Sequence, residues 1–592
     1  MRSPPWLAGP ALGLGLLLAA CAAPAALPPT TAAGDVAAGD ALDAIDPADA
    51  ATSGGGAGDV AATFDAFAGD GDAPVADVDT DVTPIAAFCA DGGWSTRAFV
   101  AGPTGTHRHD RAADFTLPLA DGTDWNLAEH WLGCESHVFV PDTIPVSDDD
   151  ATSIWAKDLD ALVKKSPKNV HYFFVSRQAA AVAPKNIADM AARVENLVNN
   201  LPEEDAAHWH DHLHVVAKRV QELQAWPATV LKGHGAIGFA IDRQQTIRGF
   251  GMLADVTRAY SPKDPKQSWP WKSNLAYAAH EALTFNAETA RLDSRVGEVA
   301  LVVPAWQGEK LAQFAETEVT LTTADAIDGY DSLEVDVDMH CPDPDKPEPG
   351  NCGAWDYIAS LAVRDESGQM IEMARFITSY HRETHWTVDA SPMLGYFRAP
   401  GPKKLRWEFA PEWNKQPTLT FLALRFVKRG KGLQPKVLQK LWDGGGFNSK
   451  YDTLHPDRSV AIAATAKKVE LWALITGHGA DAGTQCAEFC NHQHVFAIGA
   501  TSWKKEHKEA GTLNKCMPNM EKGMVPNQGG TWWTGRGGWC PGMQVEPWVA
   551  DVTDAAKPGS TVKLSYHGLL GNQTPPDGGA NIDGAVWLVV YE

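Results

Sequence analysis

The chain has fewer basic than acidic residues. It contains 50 Lys and Arg residues and 74 Asp and Glu residues, which give a formal net charge of −24. This deficit argues against binding to the phosphates of nucleic acid as the main activity. Long apolar runs are also scarce. Apart from a short apolar run at the N-terminus, no stretch approaches the length and apolar character needed to cross a bilayer. Hydrophobic residues still make up 44% of 592 positions, which is ample for packed cores and predicts two or three domains.

The N-terminus has the pattern of an export signal. A short apolar run ends in Leu18-Ala19-Ala20-Cys21, which resembles a bacterial lipobox and is too short for a permanent span. We expect residues 1–21 to be a lipoprotein signal peptide, with Cys21 lipidated and anchored in the outer membrane, at the cell surface or facing the periplasm. An ordinary cleaved signal peptide is the alternative. Residues 22–84 have few aromatic residues and are mostly Ala, Asp, Gly, Pro, Thr and Val, which predicts a disordered linker.

An even number of cysteines remains if Cys21 is lipidated. In an exported chain this favours disulfides over thiolate metal ligands, although the sequence alone does not determine their pairing. The eight residues are Cys89, Cys134, Cys341, Cys352, Cys486, Cys490, Cys516 and Cys540.

Residues 85–265 have the pattern of an α/β domain. We predict a helix from Ser153 to Lys165, a buried strand at residues 170–175 and a hairpin at residues 238–249. This order resembles a thioredoxin-like domain. Cys134 precedes its strand and has no Cys-x-x-Cys partner, so we expect a redox-inactive domain in which Cys89 and Cys134 are candidates for a disulfide.

The same region contains HWHDHLH, with histidines at positions 208, 210, 212 and 214. If this stretch is helical, the pairs His208/His212 and His210/His214 lie one turn apart and either pair has the spacing of zinc ligands. No third ligand follows at a supporting spacing. We therefore expect a solvated helix face instead of a metal site.

From Leu301 onward, short alternating segments recur between Gly, Pro and Asp turns, which is typical of β-sandwiches or jelly rolls. We predict two of them, at residues 285–445 and 446–592. Four motifs mark this half: CPDPDKPEPGNCGAWDYIASLAV (341–363), ARFITSY (374–380), ITGHGADAGTQCAEFCNHQHVFAIG (475–499) and GTWWTGRGGWCPGM (530–543).

Taken in order, these motifs resemble the peptide-N-glycosidase F family over residues 300–592. The resemblance implies two eight-stranded antiparallel jelly rolls packed side by side, with a substrate cleft between them and no metal or other cofactor. It also implies three disulfides, which join Cys341 to Cys352, Cys486 to Cys490, and Cys516 to Cys540.

The resemblance assigns roles to individual residues. Asp356 is the expected base that activates water, and Glu488 is expected to position substrate or a catalytic water. Arg536 is expected to hydrogen-bond in the cleft, while Trp355 and Trp539 are candidate walls or sugar platforms. Three simpler interpretations remain open: a turn cap for Asp356, a solvent-facing side chain for Glu488 and a structural salt bridge for Arg536.

The remaining assignments concern substrate binding. Glu412 is the nearest match to a further family glutamate, and Glu408 is its alternative. The chain departs from the family at Tyr357, His381 and His478, which stand where the family has an arginine, an aromatic residue and a tryptophan. These departures make substrate specificity more doubtful than reaction class.

The resulting hypothesis is a monomeric amide hydrolase that removes glycans from asparagine in N-glycoproteins or glycopeptides, with aspartate and a glycosylamine as products. The first alternative is a catalytically inactive surface lipoprotein that binds carbohydrate or peptide. A second alternative is a copper monooxygenase-like double sandwich, and a local rival is a zinc site. The copper alternative would use His381, His478, His492 and His494; the zinc site would use Cys486, Cys490, His492 and His494.

Overall fold

The computed structural model describes residues 84–142, 154–155, 159–233, 238–249, 280–322, 327, 329–348, 350–479, 487–527 and 531–592. The expected lipobox at Cys21, all but the last residue of the expected linker, and Cys486 lie outside these ranges. Within them, no helix has both the length and the apolar character needed to span a membrane.

The N-terminal unit combines helices with one mixed five-stranded sheet. Its elements are α1 (Pro84–Asp91), β1 (Thr116–Pro118), β2 (Asp124–Asn126), α2 (Leu127–His130), β3 (Ser136–Pro141), α3 (Asp160–Lys165), β4 (Val170–Val175), α4 (Ala183–Asn200), α5 (Glu203–His210), β5 (Leu213–Val215), α6 (Trp226–Gly233), β6 (Phe239–Ile241), β7 (Ile247–Gly249) and α7 (Glu281–Ser294). The strand order is β5-β4-β3-β6-β7. Strands β3, β4 and β5 are parallel, and β6 and β7 return antiparallel.

Strands β3 and β4 are buried along their whole length, as expected for strands covered on both faces. The predicted strand at residues 170–175 and the predicted hairpin are both present. Helix α7 packs Ala282 and Phe285 into the core of this unit. The first sandwich therefore starts after α7, and the boundary predicted at residue 285 is too early.

Antiparallel sheet dominates the rest of the described chain. The first sandwich contains β8 (Val299–Leu311), β9 (Phe314–Leu321), β10 (Ser332–His340), β11 (Ile358–Arg364), β12 (Met370–Ile377), β13 (Thr384–Asp389), β14 (Gly401–Glu408) and β15 (Thr418–Lys428). These strands form two four-stranded sheets, β13-β10-β15-β8 and β12-β11-β14-β9.

The second sandwich has the same plan. Its strands are β16 (Pro435–Gly446), β17 (Arg458–Ala461), β18 (Lys468–His478), β19 (His492–Ile498), β20 (Thr501–Glu506), β21 (Trp548–Asp551), β22 (Thr561–Leu570) and β23 (Asn581–Tyr591). They form the sheets β16-β23-β18-β21 and β17-β22-β19-β20. Because β16 pairs with β23, the division lies between β15 and β16 and not at residues 445/446 as predicted.

The two sandwiches share apolar packing along one sheet. Trp472 and Leu474 of β18, with Trp587 and Val589 of β23, join the core of the first sandwich. Strand β18 is therefore buried on both faces after its first residue, whereas β22 alternates between exposed and buried residues over much of its length. This contact brings the loops at one end of each sandwich together.

Disulfides brace these loops. Cys341 is bonded to Cys352 and Cys516 to Cys540, as the resemblance implied, and Cys89 is bonded to Cys134 in the N-terminal unit.

Candidate active site

Asp356 lies two positions before β11, between Trp355 and Tyr357, and its side chain is buried. The hydroxyl of Thr378 holds the backbone on both sides of it. This hydroxyl donates to the Trp355 carbonyl at 2.6 Å and accepts from the Tyr357 amide at 2.8 Å. The threonine of the ARFITSY motif, the residue directly after β12, therefore orients the backbone around the aspartate.

Arg536 links the carboxylates of the two sandwiches. Its Nε donates to Glu488 Oε1 at 3.0 Å, and its Nη2 lies 3.6 Å from Asp356 Oδ2. Nη1 also donates to the carbonyls of Thr531 and Thr534, at 3.1 Å each. Glu488 is 8% exposed and Arg536 is 4% exposed, so neither is a solvent-facing loop residue. Three separate motifs thus meet in one buried ion-pair group.

Aromatic rings enclose the guanidinium group of Arg536. Its Cζ lies 5.1 Å from the centre of the Phe489 ring and 4.7 Å from that of Trp539, within the range of cation–π contacts. Trp539 donates its indole N–H to the Gly477 carbonyl at 2.8 Å, and His478 stacks on it at 5.3 Å. Trp539 and His478 therefore lie beside the ion pairs, with the Trp539 ring against the arginine.

Burial sets the electrostatics of this group. Loss of solvation, aided by the charge of nearby Glu488, raises the pKa of Asp356 from 3.8 to about 7. Arg536 opposes both effects by attraction. Burial also raises the pKa of Glu488, again against Arg536. Asp356 is consequently a carboxyl group whose charge changes near neutral pH.

Tyr380 is a site residue that the sequence reasoning did not assign. It is buried, and its hydroxyl donates a hydrogen bond to the Asp356 carboxylate, which lowers the pKa of that carboxyl group. Its own pKa is raised well above 10 by burial and by the charge of Asp356. Its amide donates to Asn527 Oδ1 at 2.6 Å. Tyr380 ends the ARFITSY motif, which was the available signal.

The other predicted substrate residues are more dispersed. Trp355 is half-buried against the first core. Tyr357 is buried, and its hydroxyl accepts from Asn414 Nδ2 at 2.7 Å. His381 is half-buried with a φ of 58° and follows Tyr380 directly. Glu412 is exposed, and none of its contacts joins it to Asp356 or Arg536 in the described part of the chain.

The histidines do not form the sets considered from the sequence. His492 and His494 lie together with His507, whereas His478 stacks on Trp539. Cys490 is disulfide-bonded, so it is not available as a thiolate ligand for the rival zinc site. Cys486, the partner that the resemblance implied, is outside the described residues.

The interpretation of HWHDHLH as a solvated helix face is wrong for its second half. Helix α5 ends at His210, and His214 lies in β5. His212 and His214 are buried, because their side chains turn into the N-terminal unit instead of toward solvent.

Comparison with known proteins identifies a relationship for the C-terminal half. Residues 447–589 match the family model for peptide-N-glycosidase F, C terminal. The chain is 26% identical over 273 residues to peptide-N(4)-(N-acetyl-beta-D-glucosaminyl)asparagine amidase F of Elizabethkingia miricola. The aligned region covers 44% of this chain and 73% of that protein. These two findings confirm the predicted similarity to peptide-N-glycosidase F.

Solved structures also match about half of the chain. PNGase F, a glycosylasparaginase from Flavobacterium meningosepticum, is 19% identical with a TM-score of 0.39, covering 49% of this chain and 96% of that chain. PNGF-II is 11% identical with a TM-score of 0.36, covering 49% and 65%.

Proposed function

We propose that the C-terminal half of this chain hydrolyses the amide bond between an asparagine side chain and the first sugar of an N-glycan. The products are aspartate in the peptide and a free glycosylamine. The sequence similarity to peptide-N-glycosidase F suggests this reaction. The observation that carries it is the meeting of Asp356, Glu488 and Arg536 from three distant motifs in one buried group.

Amide hydrolysis needs an activated water and stabilisation of the carbonyl oxygen as it becomes negative. A carboxyl group with a pKa of about 7 is partly ionised at neutral pH and still basic enough to take a proton from water. In this proposal Asp356 removes that proton and returns it to the leaving nitrogen. Arg536 supplies a fixed positive charge in a site shielded from solvent, and Glu488 orients Arg536 together with water or substrate.

The positions at which the chain departs from the family pattern concern substrate binding. His478 stacks on Trp539, and the hydroxyl of Tyr357 accepts a hydrogen bond from Asn414. Neither residue belongs to the ion-pair group. We propose that these positions, with His381, set which peptide or glycan enters and leave the reaction class unchanged.

The test uses the purified full chain and a denatured N-glycoprotein. We expect release of glycan together with conversion of the glycosylated asparagine to aspartate, detected by mass spectrometry of the peptide. Asp356→Asn abolishes both signals, and Asp554→Asn, which changes an exposed carboxylate of the second sandwich, leaves them intact. Wild-type protein that releases no glycan, or an Asp356→Asn variant that remains fully active, contradicts the proposal.

The same assay separates the alternative of an inactive binding protein. That alternative expects glycan or glycopeptide to bind without turnover, and it expects Asp356→Asn to bind as the wild type does. The three departures at Tyr357, His381 and His478 are the observation in its favour.

We also propose that the chain is a monomeric exported lipoprotein. The Cys341–Cys352 and Cys516–Cys540 disulfides support an oxidising compartment. If Cys21 carries the anchor, Cys21→Ser moves the protein from the membrane fraction to the soluble fraction, and an unchanged distribution contradicts the proposal.

For the N-terminal unit we propose a thioredoxin-like arrangement without thiol chemistry. Parallel β3 and β4 followed by antiparallel β6 and β7 support the arrangement. Cys89 and Cys134 are both fully buried and bonded to each other, which supports a structural role.

A further inference from the structure

A second group of ionisable side chains lies in the N-terminal unit. Glu135 directly precedes β3, His171 lies on β4, and His212 directly precedes β5. Glu135 Oε1 is 2.8 Å from His212 Nε2, and its Oε2 is 3.3 Å from His171 Nε2. One donor atom from each residue lies within 4.8 Å of the other two. Three neighbouring parallel strands therefore present their donors at the same place.

The ring of His212 has a defined orientation. Its Nδ1 lies 2.7 Å from the backbone carbonyl of His208, and a carbonyl only accepts, so Nδ1 carries the proton. A neutral ring then turns the lone pair of Nε2 toward Glu135 Oε1 at 2.8 Å. Two lone pairs at this distance repel each other. The contact therefore requires a proton, carried by His212 or by the carboxyl group, or a metal cation held between the two atoms.

His171 is oriented in a similar way. Its Nδ1 lies 3.0 Å from His214 Nε2, which leaves Nε2 to face the carboxylate. The rings of His171 and His212 stack at 4.3 Å, so two charged imidazoliums there would repel each other. Hydrogen bonds on the outer nitrogen of each ring are typical of metal-binding histidines, because they hold the ligating nitrogen in place.

The donor separations suit a small transition-metal ion. Bonds of about 2.0–2.1 Å in a tetrahedral zinc site place neighbouring donors about 3.3 Å apart. The observed separations are 3.3 Å from Glu135 Oε2 to His171 Nε2 and 2.8 Å from Oε1 of the same carboxylate to His212 Nε2. A small opening on the His212 side brings the shorter separation to the tetrahedral value. The carboxylate supplies the one negative charge of the group.

The surroundings are buried and largely aromatic. The Cys89–Cys134 disulfide fixes the residue next to Glu135, and the Phe88 ring lies 5.9 Å from that of His212. His137 stacks on His171 at 5.0 Å and is 1% exposed, yet neither of its ring nitrogens has a hydrogen-bond partner in the described part of the chain. Such an unsatisfied buried imidazole is costly and calls for a polar species nearby.

We propose that Glu135, His171 and His212 bind a divalent transition-metal ion, with Zn²⁺ as the best match to two imidazoles and one carboxylate. Mg²⁺ and Ca²⁺ prefer oxygen donors and fit this set poorly. The ion would join the starts of three strands and so stabilise the N-terminal unit. The inference does not depend on the proposed amidase activity, because none of these residues contacts Asp356, Glu488 or Arg536.

The test uses the untagged full chain, stripped with a chelator and then dialysed against Zn²⁺. We expect about one bound Zn²⁺ per chain by elemental analysis and a higher Tm with Zn²⁺ than without it, whereas Mg²⁺ neither binds nor raises the Tm. Glu135→Gln preserves size and should weaken binding by more than about 100-fold, beyond the effect typical of an outer hydrogen-bond partner. His210→Ala is the matched control, because His210 is exposed at the end of helix α5, two positions before His212, and its ring pairs with Asp211.

Three further outcomes keep the proposal open to refutation. Wild-type protein that holds no Zn²⁺ and whose Tm does not change with Zn²⁺ overturns it without the need for any variant. Undiminished Zn²⁺ in Glu135→Gln also overturns it and points to the group of His492, His494 and His507. Co²⁺ loading of the wild type should produce the visible absorption of a tetrahedral ion with nitrogen and oxygen donors, and an octahedral spectrum contradicts the proposed geometry.

Discussion

Replacing Asp356 with Asn should remove activity and stabilise the fold at the same time. The structure raises the pKa of this carboxyl group from 3.8 to about 7, so the folded protein holds its proton more tightly than the unfolded chain does. The difference is about 3 pKa units, and each corresponds to about 1.4 kcal/mol, which gives about 4 kcal/mol. That free energy opposes folding once Asp356 is ionised.

The sign follows from the two pKa values. Below pH 3.8 the group is protonated in both states and costs nothing. The cost grows as pH rises from 3.8 to about 7 and stays constant above that, because the group is then ionised in both states. A neutral Asn cannot ionise, so the advantage of the variant should appear only as pH rises through this window.

The assay is thermal unfolding of wild type and Asp356→Asn across the pH range, beside glycan release at neutral pH. For a domain of more than about 150 residues, a gain of about 4 kcal/mol in the free energy of unfolding corresponds to a rise in Tm of roughly 8 °C. Activity should fall by about 100-fold to 10,000-fold, the usual contribution of a general base. Asp554→Asn, on the exposed surface, should change neither quantity. The reasoning is refuted if the Tm difference is absent near neutral pH, or if it is equally large near pH 4.

Three other perturbations test the surroundings of the site. Tyr380→Phe removes the hydroxyl that donates to Asp356, so the pKa of that carboxyl group rises further and the acid limb of kcat/KM moves to higher pH; an unchanged pH profile contradicts this role. Arg382→Met leaves two buried carboxylates without their shared cation and should cost about 3–5 kcal/mol, measured as a lower Tm. Replacing both Cys516 and Cys540 by Ser opens a loop of 24 residues that carries the site arginine, which should cost about 3 kcal/mol of unfolding free energy and reduce activity. A variant as stable as the oxidised wild type would show that this loop is held by packing alone.

The fold followed from the sequence where short-range patterns decide it. The apolar strand at residues 170–175 and the hairpin at residues 238–249 are present, because alternation and turn residues act within a few positions. The boundaries were less accurate. Helix α7 and strand β16 were assigned to the wrong units, because the partners that hold them lie far away in sequence.

The candidate site could likewise be predicted only in part from the sequence. The motifs around Asp356, Glu488 and Arg536 were visible in the sequence, since each is a short run of characteristic residues. Their ion pairs, the enclosing aromatic rings and the hydrogen bond from Tyr380 were not, because these contacts depend on the packing of two sandwiches. The pKa of Asp356 is likewise a property of burial.

The segment HWHDHLH shows most directly what the sequence alone does not determine. By itself the sequence determined the residue types and indicated a helix, which in the structure ends at His210. Only the tertiary structure decided that His212 turns inward to meet Glu135, 77 positions earlier in the chain. A local pattern describes which side chains could share a helix face. Whether a side chain is solvated or buried beside a carboxylate depends on the sheet that brings distant strands together.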